Sequence, residues 1–235
     1  MSVWFAVPSK RPPDEAEICL SKGAVFEGRF HPSWREQGYK IALWRDEGDP
    51  EIKAELLIMG AYQGYHHAVN ALCRAIMALD PDCQWIVSGG DDMCPDPVKR
   101  ADEIATECTE HFCGTFGVMQ PTGDKWGDPQ RICGSPWMGR EFCRRMYGGR
   151  GPFCELYWHM WGDQELHEIC KKRGILWNRD DLSHYHHHWI RVQQAAKQPL
   201  RAPKFLDKAI PCYESLMPLY KAREKAFFPG HEPID

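Results

Sequence analysis

Short apolar runs rich in β-formers alternate with stretches of helical periodicity through the first half of this chain. That alternation restricts the fold more than any other feature. Residues 3–7 (VWFAV) read as a buried strand stopped by Pro8, and residues 39–44 (YKIALW) as a second that ends at Arg45-Asp46. Residues 56–59 (LLIM) and 85–88 (WIVS) give a third and a fourth. Between these two, Val69, Leu72, Cys73 and Ile76 recur at helical spacing. Ile104, Cys108 and Phe112 form one stripe of a further helix over 102–112, before 116–119 returns as a strand. Strand and helix in alternation predict an α/β domain, a mostly parallel sheet flanked by helices. Ligands of such sheets bind beyond the carboxyl ends of the strands, so the residues that follow each strand are the ones to read.

After Met119 the pattern breaks. Residues 120–150 are rich in Gly, Pro and Trp, as irregular loops around a pocket are. Residues 163–173 (DQELHEICKKR) are helical, with Leu166, Ile169 and Cys170 inward and Gly174 as the stop. Residues 175–177 and 182–189 look extended. Beyond Arg191, Pro199, Pro203, Pro211 and Pro218 predict a wrapping tail with short helices. The expected organisation is one domain over 1–190 and a C-terminal extension over 191–235. A chain of 235 residues can bury a full core in this way.

Composition narrows the setting. No apolar run approaches the roughly 20 residues that cross a bilayer, and the N-terminus turns polar too soon for a signal peptide. The eleven cysteines are odd in number and contain no CxxC pair, so neither a zinc knuckle nor a disulfide framework is expected. Reduced, mostly buried thiols in a cytoplasm are the expectation (a host cytoplasm if the chain is phage-encoded). A net charge of −4 excludes a protein that coats nucleic acid through bulk charge. Locally, residues 191–225 carry eight Lys/Arg against three Asp/Glu, and Arg140, Arg144, Arg145 and Arg150 lie close together. Each group either faces an anionic partner or is an ordinary solvated surface.

Asp91-Asp92 follows the fourth strand directly, after Gly89-Gly90. Adjacent carboxylates at a strand end repel unless a cation neutralises them, and hard ions such as Mg²⁺ or Mn²⁺ suit oxygen ligands shared with phosphates. By itself the pair reads first as a solvated acidic turn. In His184-Tyr185-His186-His187-His188, an extended backbone would point His184, His186 and His188 one way and His187 the other. Asp163 opens its helix, where it suits either a cap or a carboxylate base.

The order of these motifs resembles the family-2-like GT-A glycosyltransferases. Gly64-Tyr65-His66-His67-Ala68-Val69-Asn70 opens a helix that leads to WIVSGGDDMCPDP, similar to the family's glycine-alanine-asparagine segment and DxD-type motif. Gly134-Ser135-Pro136-Trp137-Met138-Gly139-Arg140 and then Gly162-Asp163-Gln164-Glu165 are similar to its acceptor segment and ED-type motif. The spacing departs from the family in being DD rather than D-x-D. The resemblance implies a GT-A (Rossmann-like) fold and an enzyme, a hexosyl- or pentosyltransferase. It would move a sugar from a nucleotide diphosphate sugar (UDP- or GDP-linked) to an acceptor hydroxyl, with inversion. It implies that Asp91 contacts the sugar nucleotide, while Asp92 with His186 or His184 binds Mn²⁺ or Mg²⁺. Asp163 is the implied base, with Glu165 in reserve. Pro8, Ser9, Arg11, Asp46 and Asn70 would hold the nucleotide. Lys125, Arg140 and Arg144 either stabilise the leaving diphosphate or are solvated, and Trp126, Trp137 and Trp158 either stack on a sugar or base or pack in the core and loops.

For the acceptor, phage transferases of this build suggest a hydroxymethylated pyrimidine in DNA. A saccharide or small molecule is the competitor. Two rivals come from other classes. A nucleotidyltransferase of related fold is disfavoured because Pro8-Ser9-Lys10-Arg11-Pro12-Pro13 lacks glycine. The other is a non-catalytic metal- or nucleic-acid-binding protein.

Overall fold

The computed structural model describes residues 1–125, 131–196 and 206–235. In chain order the elements are β1 (Ser2–Pro8), α1 (Pro13–Glu17) running into a π-turn (Ile18–Lys22), and the hairpin β2 (Ala24–Phe26) and β3 (Arg29–His31). β4 (Lys40–Arg45), β5 (Leu56–Met59), α2 (Tyr65–Leu79), β6 (Cys83–Ser88), β7 (Met93–Cys94) and α3 (Ala101–His111) follow. The second half holds β8 (Val118–Pro121), β9 (Trp137–Gly139), α4 (Arg140–Gly149), α5 (Gly162–Lys172), β10 (Leu176–Arg179), β11 (Tyr185–His186), α6 (Trp189–Ala196) and α7 (Leu206–Lys225).

Seven strands form one sheet in the order β5-β4-β1-β6-β9-β8-β10. Neighbours pair in parallel except at β9, which is antiparallel to both β6 and β8. β1 is central and covered on both faces, and such a strand reads as an unbroken apolar run. Trp4 and Ala6 point to the layer of α2, α4 and α5, while Val3, Phe5 and Val7 point to the layer of α1 and α3. From β1 the chain runs outward through β4 to β5, then returns to β6 on the other side of β1. This reversal opens a crevice beyond the carboxyl ends of β1 and β6.

Three elements differ from expectation. β9 is too short, at three residues, to show a period of its own, and loop-like composition surrounds it. Of residues 182–189 only Tyr185 and His186 pair as a strand, with β7, and Trp189 already starts α6. In place of short tail helices, α7 runs for 20 residues through Pro211 and Pro218. Tertiary contacts offset the two prolines there: Trp161 stacks on Tyr213 and Tyr220, and its Nε1–H donates to the Tyr213 carbonyl at 2.9 Å. All eleven cysteines are free, nine of them buried. Among the described residues no helix is long and apolar enough to cross a membrane.

Candidate active site

The crevice is a cleft of about 1190 Å³. One wall is the segment after β1 and another the segment after β6. Ser9 Oγ donates to Asp91 Oδ2 at 2.6 Å, Arg11 Nε to Asp91 Oδ1 at 2.8 Å, and Arg11 Nη2 to Asp92 Oδ2 at 3.2 Å. The guanidinium thus relieves the repulsion between the two carboxylates. Behind the segment Arg45 is buried at 1% exposure, and its Nη1 donates to the carbonyls of Ser9 (3.3 Å) and Arg11 (3.1 Å). Lys10 pairs with Asp46 at 2.8 Å at the mouth.

The β7–β11 ladder brings the histidine segment to the aspartates. His187 N–H donates to the Asp92 carbonyl at 2.8 Å, and His186 Nε2 lies 3.2 Å from Asp92 Oδ1. Burial opposes ionisation of Asp92. The hydrogen bond and charge of His186, with the charge of Arg11, outweigh it and hold the carboxyl below its ordinary value. Asp92 Oδ1 and His186 Nε2 are close enough to ligate one divalent ion. Among the described residues no group of three His, Cys, Asp or Glu side chains adds a third ligand. Two protein donors fit an ion that keeps waters or phosphate oxygens, and do not fit a closed structural site.

His184 lines the cleft too, but its ring is bonded away from Asp92. It is buried, accepts from Trp137 Nε1 at 3.3 Å, and its Nδ1 meets Ser135 Oγ at 3.0 Å. Burial lowers its pKa to about 3, so it is a neutral core histidine with both nitrogens engaged. The alternation expected over 184–188 holds: His184, His186 and His188 line the cleft, while Tyr185 and His187 stack on Phe26. The same bond keeps Trp137 in the core, whereas Trp158 lines the cleft. Trp126 lies outside the described residues.

Asp163 sits in the first turn of α5, half-buried on the cleft wall. Its Oδ1 accepts the Gln164 N–H at 3.1 Å, and burial raises its carboxyl to about 6. The residue at the helix cap is Trp161, held left-handed at φ 79°. Glu165, the reserve base, faces the opposite way. It is 0% exposed and accepts from Tyr147 and Tyr157 hydroxyls (2.7 Å each) and from Arg223 Nε and Nη2 (3.0 and 2.7 Å). Residues two apart on a helix lie roughly 200° apart, so one carboxylate meets the cleft and the other the core.

Asn70 also leaves the expected nucleotide set. It is fully buried, donates to the Phe153 carbonyl (2.9 Å) and Glu155 Oε1 (3.0 Å), and accepts the Phe153 N–H (3.0 Å). Its amide stitches α2 to the loop at 153–161. Pro8, Ser9, Arg11, Asp46 and Asp91 do share the cleft. Asp124, not anticipated, lines it too. Asp124 accepts from Arg191 Nη2 at 3.0 Å and from the His186 N–H at 3.5 Å. Its only signal in the sequence is its place in a turn after β8.

The clustered arginines are engaged elsewhere. Arg140 donates to the carbonyls of Met77, Asp80 and Cys83, and Arg144 forks onto Glu141. Arg145 Nε holds the Ile234 carbonyl at 2.6 Å, and Arg150 Nε the Tyr147 carbonyl at 3.0 Å. Of the cations expected at the diphosphate, Lys125 lines the cleft. Lys197, Arg201 and Lys204 lie outside the described residues.

No family model matches the chain, and no curated protein matches its sequence. Among solved structures, one from Bacillus anthracis described as a glucose-1-phosphate thymidylyltransferase, with sucrose bound, aligns over 86% of this chain and 98% of its own. The identity is 10% and the TM-score 0.43. So distant a likeness carries no argument about activity.

Proposed function

We propose that the protein is a metal-dependent glycosyltransferase that moves a sugar from a UDP- or GDP-sugar to an acceptor hydroxyl, with inversion. One observation carries the reading: Asp91, Asp92, His186 and Asp163 meet in a single cleft at the switch point of the sheet. In this reading Asp92 and His186 hold Mn²⁺ or Mg²⁺, and the ion offsets the charge of the leaving diphosphate. Ser9, Asp91 and Asp46 face the nucleotide, with Arg11 and Lys125 as charged donors for phosphate oxygens. Asp163, raised to about 6, is ionised at neutral pH yet basic enough to take the acceptor proton. Residues 1–190 form the catalytic domain in this reading, and residues 191–235 an extension docked on α5 through Arg223 and Glu165. Because Arg140, Arg144, Arg145 and Arg150, one of the two basic groups that could face an anionic partner, are bound to carbonyls or to Glu141, we favour a saccharide or small-molecule hydroxyl.

A second reading, a nucleotidyltransferase joining a sugar phosphate to a nucleoside triphosphate, draws support from Lys10-Arg11 directly after β1. There the two cations line the cleft without a glycine-rich loop. Thermal unfolding with UDP, GDP, CDP and their sugars, with and without Mn²⁺, tests both. Stabilisation by one nucleotide that needs Mn²⁺ and is lost in Asp92→Ala is expected. Release of nucleoside diphosphate from the sugar nucleotide supports the first reading, and pyrophosphate release from a triphosphate the second. Stabilisation by no nucleotide under any metal condition would sink both.

A further inference from the structure

One group on the cleft wall has no part in the roles above. His66, in the first turn of α2, is 1% exposed and lines the cleft. Its Nδ1 lies 2.9 Å from the Tyr157 carbonyl. A carbonyl only accepts, so Nδ1 carries the proton and the neutral ring presents Nε2 as a bare acceptor. Burial lowers the His66 pKa to about 4, which keeps the ring neutral near pH 7. Among the described residues Nε2 has no hydrogen-bond partner. With no donor from the chain, this acceptor on the cleft wall is open to a donor from a molecule bound in the cleft.

The surroundings fix where that donor arrives. Three stitches tie the loop at 153–161 across the start of α2: Asn70 to Phe153, His66 to Tyr157, and the Tyr65 N–H to the Trp158 carbonyl at 2.7 Å. The loop then enters α5 at Gly162, and the His66 ring lies directly on that glycine. A Cβ at position 162 would collide with Nε2. Asp163 is the next residue, and its side chain lines the same cleft as His66. Both accept and neither donates when Asp163 is ionised. A lone hydroxyl has one proton and satisfies only one of them.

We infer that His66 is a specificity-determining residue, which selects acceptors bearing a second O–H or N–H donor next to the reacting hydroxyl, as a vicinal diol does. The inference rests on the glycosyltransferase reading. Asp163 takes the proton of the reacting hydroxyl, and Nε2 accepts from its neighbour. A site built to pair a donor rejects the analogue that lacks it, because the buried acceptor is then left empty.

The test uses the full chain with Mn²⁺ and whichever sugar nucleotide stabilises it. Methyl glucoside, galactoside and mannoside are compared with their deoxy counterparts, and with benzyl alcohol as a single hydroxyl, by release of nucleoside diphosphate. We expect a loss of tenfold or more in kcat/KM, mainly through KM, when the neighbouring hydroxyl is removed. His66→Asn keeps a donor to the Tyr157 carbonyl but has no acceptor at the Nε2 position, so it should flatten that preference with the melting temperature little changed. His66→Gln, whose amide oxygen reaches that position, should restore part of it. Benzyl alcohol used as well as the glycosides, or His66→Asn with the preference of the unchanged protein, would overturn the inference while donor binding stands. Failure of every sugar nucleotide to bind would overturn the parent reading and this inference with it.

Discussion

Asp163 and Glu165 stand two residues apart on α5 and carry the same functional group, yet their surroundings give them opposite parts. Glu165 is sealed among Tyr147, Tyr157 and Arg223, with every oxygen satisfied. Asp163 has one backbone donor and an open cleft, and burial without a cationic partner lifts its carboxyl to about 6. A charged group that is fully paired holds the fold together. One left short of partners is a liability to the fold and is available for chemistry.

Removing the core partner should have the largest effect on stability. Glu165→Ala leaves the Arg223 guanidinium buried without its counter-ion, a loss of about 3–5 kcal/mol read from urea unfolding. The paired replacement Glu165→Leu with Arg223→Met should recover much of that, since apolar residues of similar volume often replace a buried ion pair without loss. A single variant within about 1 kcal/mol of the unchanged protein would show that the network does not anchor α7.

Asn70→Ala comes next. It strips the Phe153 N–H and carbonyl of their partners, at about 1–3 kcal/mol for each buried group left unsatisfied. The same variant should lower acceptor turnover by loosening the loop at 153–161 while nucleotide stabilisation persists. Loss of nucleotide binding in this variant would return Asn70 to the nucleotide site.

Cleft carboxylates should behave in the opposite way. Asp92→Asn is expected to change stability by about 1 kcal/mol or less, because its partners Arg11 and His186 are partly solvated. Mn²⁺-dependent stabilisation by nucleotide should vanish in it. A variant that keeps that stabilisation would remove Asp92 from the metal site.

The stability effect of reversed sign belongs to Asp163→Asn. With its folded pKa raised to about 6, Asp163 holds a proton in the native state that the unfolded chain has already released. Its contribution to stability therefore falls as pH rises from the ordinary carboxylate range to about 6. Melting curves should show the Asn variant more stable than the unchanged protein at pH 7, with the gap closing toward pH 4. Its transfer rate should be about 10²–10⁴-fold lower. An Asn variant less stable at pH 7 would place Asp163 on the structural side of the comparison.

Much of the sheet was legible because its strands are buried on both faces and read as uninterrupted apolar runs. The expected third strand matches β5, and the helix stripe through Val69, Leu72, Cys73 and Ile76 matches the buried face of α2. Within the cleft, Asp91 and Asp92 were legible as strand-end residues, and so were Ser9 and Arg11. The antiparallel β9 was not, since three residues carry no period and only pairing with β6 and β8 defines them. The continuity of α7 through two prolines was equally hidden, because contacts with Trp161 and Glu165 decide it.

Side-chain assignments divide in the same way. Residue spacing placed Asp163 and Glu165 on one helix, and the sequence singled out a histidine cluster and a strand-end aspartate pair. Local chemistry and periodicity determine that much, since both act over a few residues. Which carboxylate faces the cleft, which histidine meets Asp92, and that Asn70 braces a loop depend on partners far away in sequence: Arg223, Trp137 and Phe153. Burial and hydrogen bonding act between surfaces brought together only by the fold, so those choices belong to the tertiary structure.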